Sequence, residues 1–342
     1  MARIKDVAEL AGVNRSTVSR IINGEGKFRE ETKIKVEQAM AELNYRPSAI
    51  ARSLATSSSN MMGLLVTYYT GGFFGEMMEQ VQGELDMHNK FLITAQGHNT
   101  AEGEREAIRR FHDLRCDGYV LHSRYLSDDE LRDLAKQPTP FVLLDREVEG
   151  LEDRCVTFDH HFASSLAVQR LIDLGHQKVG CISGPNSRYN SVQRKQGYID
   201  TMQKAGLPVM DSFIEEGNYG RQSGYHAAER IFSQNSDLTA LFSCSEEMTV
   251  GALQYFHEHS IAVPEQVSLM SFDSVDLCEA LYPKVSAVHF PISQMARTAV
   301  QRLVGLVNKT AIEEDRQFHA ELRLRNADTT PITVALTTDV KA

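Results

Sequence analysis

The sequence predicts an α/β protein in which two doubly wound parallel-sheet lobes follow a small N-terminal helical unit and a short hinge helix. Three observations predict it. From residue 61 onward, short apolar runs of strand length alternate with helical stretches, the pattern of parallel sheets covered by helices. Before residue 47 the apolar residues recur at helical spacing, in three short segments. Charge divides near the same place: residues 1–59 carry 10 Lys and Arg against 7 Asp and Glu, a net of +3, and the remainder carries 26 against 39, a net of −13. A basic head on an acidic body directs only the head toward a polyanion.

The first segment, "IKDVAELAG", sets Ile4, Val7, Ala8 and Ala11 on one side and places Gly12 where a helix ends. In "NRSTVSRIIN", Asn14 is positioned to cap a helix whose Val18, Ile21 and Ile22 fall at i, i+3 and i+4. The other face shows Arg15, Ser16, Ser19 and Arg20. These are donors for phosphates or base edges, and equally what a solvated helix face displays. A third helix, "ETKIKVEQAMAELNYRP", is expected to turn Ile34, Val36, Ala39, Met40 and Leu43 inward and to stop ahead of Pro47. Helix, Gly turn, helix is a helix-turn-helix pattern. Behind it, "RPSAIARSLATSSSN" predicts a brief helix through Ala55 with Ile50, Ala51 and Leu54 on one face, then a flexible linker. Isolated helices under about 12 residues rarely persist in water, so this one forms only against a partner surface.

The strand-sized runs are "MGLLVT", "FLITA", "GYVLH", "PFVLL", "VGCIS", "ALFSC", "SLMSF" and "SAVHF". In doubly wound sheets ligands bind beyond the carboxyl ends of the strands, so a cleft between two lobes is expected. With 342 residues and 42% hydrophobic content, two or three domains with sizeable cores are possible. No run approaches the roughly 20 apolar residues of a membrane span, and "MARIKDVAEL" lacks a signal-peptide core; a cytoplasmic protein without a membrane partner is expected. Cys116, Cys155, Cys181, Cys244 and Cys278 form no CxxC pair, which predicts reduced core residues rather than disulfides or zinc. His160 and His161, like His257 and His259, sit on unmatched elements and predict no metal site. Without GxGxxG after a strand, a Walker A loop, GxSxG or HExxH, neither catalysis nor a cofactor is expected. "SGPNSR" after "VGCI" reads as a ligand loop.

In this order, "IKDVAELAGVNRSTVSRIIN", "KVEQAMAELNYRPSAIARSLA", "LIDLGHQKVGCISGP", "QRKQGY" and "VPEQVSLMSFD" resemble the lactose/galactose repressor (LacI/GalR) family of bacterial transcription regulators over nearly the whole chain. "AEGEREAIRRFHDLRCDGYVL" resembles the sugar-responsive members. The resemblance implies a helix-turn-helix domain over 1–46, a hinge helix and linker over 47–60, a first lobe from 61–159 with 291–322, and a second from 160–290 with 323–342. The body is then similar to periplasmic sugar-binding proteins. A homodimer would set its helix-turn-helix units in adjacent major grooves of a double-stranded, pseudo-palindromic operator. Arg15, Ser16 and Arg20 fall at the family's recognition positions, and Thr17, Ser19 and Asn23 where it contacts backbone or nearby bases. A bidentate Arg–guanine contact discriminates by roughly 1 to 3 kcal/mol. Leu54 falls at the minor-groove wedge position and Ala51 where two hinge helices approach; otherwise Leu54 simply anchors a linker. Arg3 and Arg29 replace the Ser or Thr common at two helix starts, which forgoes a cap of about 1 kcal/mol and can gain a phosphate contact.

For the effector, the resemblance points to Phe73, Phe74, Asp145, Arg194, Tyr219, Ser245, Asp273 and Phe290. Aromatic rings suit apolar sugar faces, and Asp and Arg suit hydroxyls. Singly, Phe290 can equally be core and Asp273 a helix cap, whereas Arg194 and Asp273 are placed together across the cleft. Two departures change the expected contacts: Ser245 and Glu246 stand where Asn-Asp is usual, and Asp159 and His160 where Asp-Asn is common. Two carboxylates, Asp145 and Asp273, favour an uncharged sugar or glycoside over a phosphorylated one. The implied function is repression of a carbohydrate-utilisation operon, relieved allosterically by that ligand. A corepressor-dependent or activating member would reverse the sign. A sugar-binding module with no DNA role is the remote alternative, and the basic head speaks against it. The ending "DTTPITVALTTDVKA" shows no heptads, so a dimer is expected rather than a tetramer.

Overall fold

The computed structural model describes residues 2–22, 26–45, 58–310 and 316–331. The head is three helices, α1 (Ile4–Ala11), α2 (Arg15–Ile22) and α3 (Glu30–Glu42), around Val7, Ala8, Ala11, Val18, Val36 and Ala39. Gly12 ends α1 at φ +65°, a left-handed turn that glycine adopts without strain. The turn returns the Val13 amide to the Ala8 carbonyl at 3.0 Å. Ile34, expected inward, is instead 44% exposed. Val36, Ala39, Met40 and Leu43 hold the i, i+3, i+4, i+7 row, and Ile34 lies two residues, about 200°, away from it.

The body opens with β1 (Met61–Val66), α4 (Gly72–Met87), β2 (Phe91–Gln96), α5 (Ala101–Asp113), β3 (Gly118–Leu121), α6 (Asp128–Ala135), β4 (Phe141–Leu144) and β5 (Cys155–Phe158). It continues with α7 (His160–Asp173), β6 (Val179–Ser183), α8 (Tyr189–Lys204), β7 (Ile214–Glu216), α9 (Arg221–Gln234), β8 (Ala240–Ser243), α10 (Glu246–Glu258), β9 (Ser268–Asp273), α11 (Leu277–Ala280) and β10 (Ser286–His289). Then follow α12 (Ile292–Asn308), β11 (Gln317–Phe318) and β12 (Glu321–Arg323). One sheet runs β11-β5-β4-β3-β1-β2 and the other β12-β10-β9-β8-β6-β7. Every pairing is parallel except β10 with β12. Strands β3, β4, β6, β8 and β9 are buried at every residue. Helices on both faces leave no polar side to such strands, which explains why most of their residues are apolar.

The chain passes between the lobes after β5, after β10 and after β11. The last passage lies at 319–320, ahead of the expected 322/323 boundary. Glu321 and Leu322 already pair with His289 and Val288 in the second sheet, so backbone hydrogen bonding assigns them there. The short strands β5, β7, β11 and β12 escape a reading based on apolar runs, because three of them are partly exposed and all are at most four residues long.

Candidate functional site

On the head, Val18 is fully buried while Arg15, Ser16 and Arg20 are exposed and Thr17 and Ser19 are half-buried, so α2 presents one polar face outward. Arg20 lies over the Phe28 ring, 5.5 Å from its centroid, which restrains a long side chain on that face. Arg3 and Arg29 precede α1 and α3 without any side-chain cap on the helix; the Asp6 carboxylate accepts the Arg3 amide at 2.8 Å instead. Asn23, Ala51 and Leu54 lie outside the described residues.

Between the lobes lies a cavity of about 580 Å³, walled by the loops that leave the carboxyl ends of the strands. Its aromatic wall comes from both lobes: Phe73 stacks on Phe290 at 5.6 Å between centroids, and Phe74 meets Phe73 edge-on at 5.0 Å. Its floor is a buried polar relay. Arg194 donates from Nε to His160 Nδ1 at 3.1 Å, so Nδ1 accepts and Nε2 carries the hydrogen. His160 Nε2 in turn donates to Asp145 Oδ1 at 2.7 Å. The other carboxylate oxygen pairs with Arg124, which also donates to the Asp145 carbonyl at 2.6 Å. Arg124 further donates to His122 Nε2 at 2.7 Å, which leaves His122 Nδ1–H to donate to Thr67 Oγ1 at 3.0 Å.

This wiring fixes charge as well as geometry. Burial, assisted by Arg124, pushes the His122 pKa well below its usual value. Burial likewise lowers His160, Arg194 adding to it and Asp145 opposing it. Both rings are therefore neutral near pH 7. Burial works against the Asp145 charge, but His160 and Arg124 outweigh it and hold the carboxyl below its ordinary range. Asp145 belongs to the first lobe and His160 opens the first helix of the second, so the relay crosses from one lobe to the other.

A second polar bridge comes from Arg188 at the start of α8. It donates to the Tyr68 hydroxyl at 3.2 Å and to Asn99 Oδ1 at 3.3 Å, both on the first lobe. Tyr219 stands beside it at φ +69°, a conformation that costs a bulky residue on the order of 1–3 kcal/mol. A 2.6 Å hydrogen bond with Ser191 holds the Tyr219 hydroxyl in place. Ser245 caps α10, accepting from the Met248 amide at 3.3 Å, and the neighbouring Glu246 accepts from Ser274 at 2.5 Å. Burial raises the Glu246 pKa.

The cavity thus brings together Phe73, Phe74, Asp145, Arg194, Tyr219, Ser245 and Phe290. Asp273 is not among its lining residues. Its carboxylate accepts the first amides of α11, from Leu277 at 3.0 Å and Cys278 at 3.2 Å, with Arg325 at 3.6 Å. Asp273 is therefore a helix-capping residue, and only Arg194 of that expected pair faces the ligand space. Asp145 also differs from expectation, because both its oxygens are engaged by protein groups.

The model for "Bacterial regulatory proteins, lacI family" matches residues 3–48, and that for a periplasmic binding protein-like domain matches residues 168–330. The HTH-type transcriptional regulator AscG of Escherichia coli (strain K12) is 32% identical over 330 residues, covering 96% of this chain and 98% of that protein. The chain belongs to the LacI family. A sugar-binding transcriptional regulator of this family from Escherichia coli, solved in complex with phosphate, is 30% identical, with a TM-score of 0.73 over 80% of this chain and 100% of that one. The lac repressor dimer bound to operator and the anti-inducer ONPF shares the fold at 23% identity, with a TM-score of 0.85 over 96% of this chain and 99% of that one. LacI-family members are DNA-binding transcriptional regulators and not enzymes. Among the described residues no helix is long and apolar enough to cross a membrane.

Sequence reasoning missed Tyr68, His122, Arg124, Arg188 and Asn190 as residues of this LacI-family cleft, and treated His160 as a departure and as an unsuitable metal ligand rather than as part of the site. Their signal was positional. Tyr68 follows β1, His122 and Arg124 follow β3, and Arg188 and Asn190 follow β6, each at a strand's carboxyl end. Arg188 ends the "SGPNSR" loop already read as ligand-binding.

Proposed function

We propose that this regulator represses a carbohydrate-utilisation operon, binding a pseudo-palindromic operator in the cytoplasm as a homodimer and leaving it when a small sugar or glycoside closes the cleft. The observation that carries the reading is a basic helix-turn-helix head joined to a two-lobed body whose aromatic and polar cavity lies where the lobes meet. Arg15, Ser16 and Arg20 would face bases, with Thr17, Ser19 and Asn23 toward the backbone and Leu54 and Ala51 acting at the operator centre. The ligand shifts the dimer only by its differential affinity for open and closed lobes. Because Asp145–His160 and Arg188–Tyr68 span the lobes and also border the cavity, a ligand that rearranges them alters both cleft angle and head spacing.

The test is selection of the purified protein on random duplexes, with and without a panel of sugars and glycosides. A recovered pseudo-palindrome that one of them weakens is the expected result. Strengthening would identify a corepressor, and enrichment of no site would overturn operator recognition.

A further inference from the structure

Charge in the cavity is unevenly paired. Of its four arginines, Arg124 is matched by Asp145 and Arg221 by Glu247. Arg188 and Arg194 form no ion pair among the described residues. Arg194 is nonetheless firmly partnered: its Nε–H and one terminal N–H donate to His160 and the Cys244 carbonyl, and its guanidinium carbon lies 3.8 Å from the Phe272 ring centroid. Arg188 is not. It is only 9% exposed, its Nε–H has no acceptor, and its two hydrogen bonds are long ones to neutral oxygens. Its guanidinium lies 5.8 Å from the Tyr68 ring and 5.4 Å from the Tyr219 ring, which fixes its plane at the cavity edge. The remaining acid, Glu246, is buried against Ser274 and does not reach either arginine as an ion pair.

A buried guanidinium with a vacant donor and no counter-charge is costly unless something negative completes it. With Asp273 turned away and Asp145 already neutralised, the carboxylate argument for an uncharged ligand falls. We propose that the effector is a carbohydrate carrying an anionic group, a phosphate or a carboxylate, which Arg188 binds while the Phe73–Phe290 wall holds the apolar sugar face. The inference rests on the reading of this cavity as a carbohydrate site. An anion accepting from Arg188 replaces its long bonds to Tyr68 and Asn99, so the charge end of the ligand acts directly on contact between the lobes.

The experiment uses the full-length protein and calorimetric titration with matched probes: glucose, galactose and cellobiose against their 6-phosphates and the corresponding uronates, with inorganic phosphate alone. At least one anionic sugar should bind about tenfold or more tighter than its neutral parent. Arg188→Met keeps the apolar stem between the tyrosines and removes the vacant donor, so it should fold and should erase that ratio; Arg188→Lys should retain part of it. A phosphate arm or a uronate arm responding alone would identify the source of the anion. Equal or tighter binding of neutral sugars, or a ratio unchanged in Arg188→Met, overturns the anionic assignment and leaves the carbohydrate reading standing. Inorganic phosphate binding as tightly as any sugar phosphate overturns the carbohydrate part of the proposal. Binding of no carbohydrate of either charge overturns both.

Discussion

Asp145→Asn isolates the relay, because the substitution preserves volume and removes only charge and one acceptor. In the native cleft one carboxylate oxygen takes the His160 Nε2–H at 2.7 Å and the other pairs with Arg124, whose side chain is 4% exposed against 2% for Asp145. An amide supplies a single oxygen. If it faces Arg124, its NH2 meets the His160 donor; if it faces His160, its NH2 meets the guanidinium. Arg124 also loses its counter-charge in a buried setting, a change that costs roughly 3 to 5 kcal/mol. For lobes of this size that corresponds to a fall in Tm of roughly 6 to 20 °C. Thermal and urea unfolding of the purified protein would measure it. Arg124→Met in the same chain removes the stranded charge, so the double variant should be more stable than the sum of the two single losses. A loss below about 1 kcal/mol for Asp145→Asn, or strict additivity in the double variant, would refute the assignment of Asp145 as the buried pivot of the floor.

Two further predictions follow from named groups. Burial lowers the pKa of His122 and of His160, so the unfolded chain binds protons that the folded rings refuse, and stability should fall as pH drops below about 6.5. His112, His176 and His289 shift in the same direction, so the informative comparison is with His160→Asn, which keeps a donor for Asp145 and should flatten the slope between pH 6.5 and 5 by at most about 1.4 kcal/mol per pH unit; denaturation midpoints that track the parent would count against a neutral His160. At the head, Arg29 begins α3 without capping it. Arg29→Ser should raise the thermal midpoint of the head while weakening the operator complex and lowering its log–log salt slope by about 1; an unchanged slope would remove Arg29 from the phosphate contacts.

The alternation of apolar runs with helices predicted two parallel sheets, since strands covered on both faces carry no polar side and so stand out in sequence. The head was equally legible, because Gly12 and the spacing of Val7, Ala8, Val18, Val36 and Ala39 are local properties of the chain. Ile34 was misread for a reason of the same kind, its place two residues off the buried row. The cleft was legible in Phe73, Phe74, Tyr219 and Phe290 and in Arg194. It was not legible in the partners of its charges. Asp273 is the last residue of the wholly buried strand β9 and resembles a ligand group in sequence, yet its oxygens are claimed by amides four and five residues ahead. Asp145 and Arg124 are separated by 21 positions, and Arg188 reaches Tyr68 across 120. Hydrogen-bond partners at such separations are set by how strands are ordered in the sheets and how the lobes face each other, and no periodicity records them. The local sequence determined which elements form and which faces they bury; the tertiary structure alone decided which charges meet, and so which arginine keeps an unsatisfied donor in the cleft.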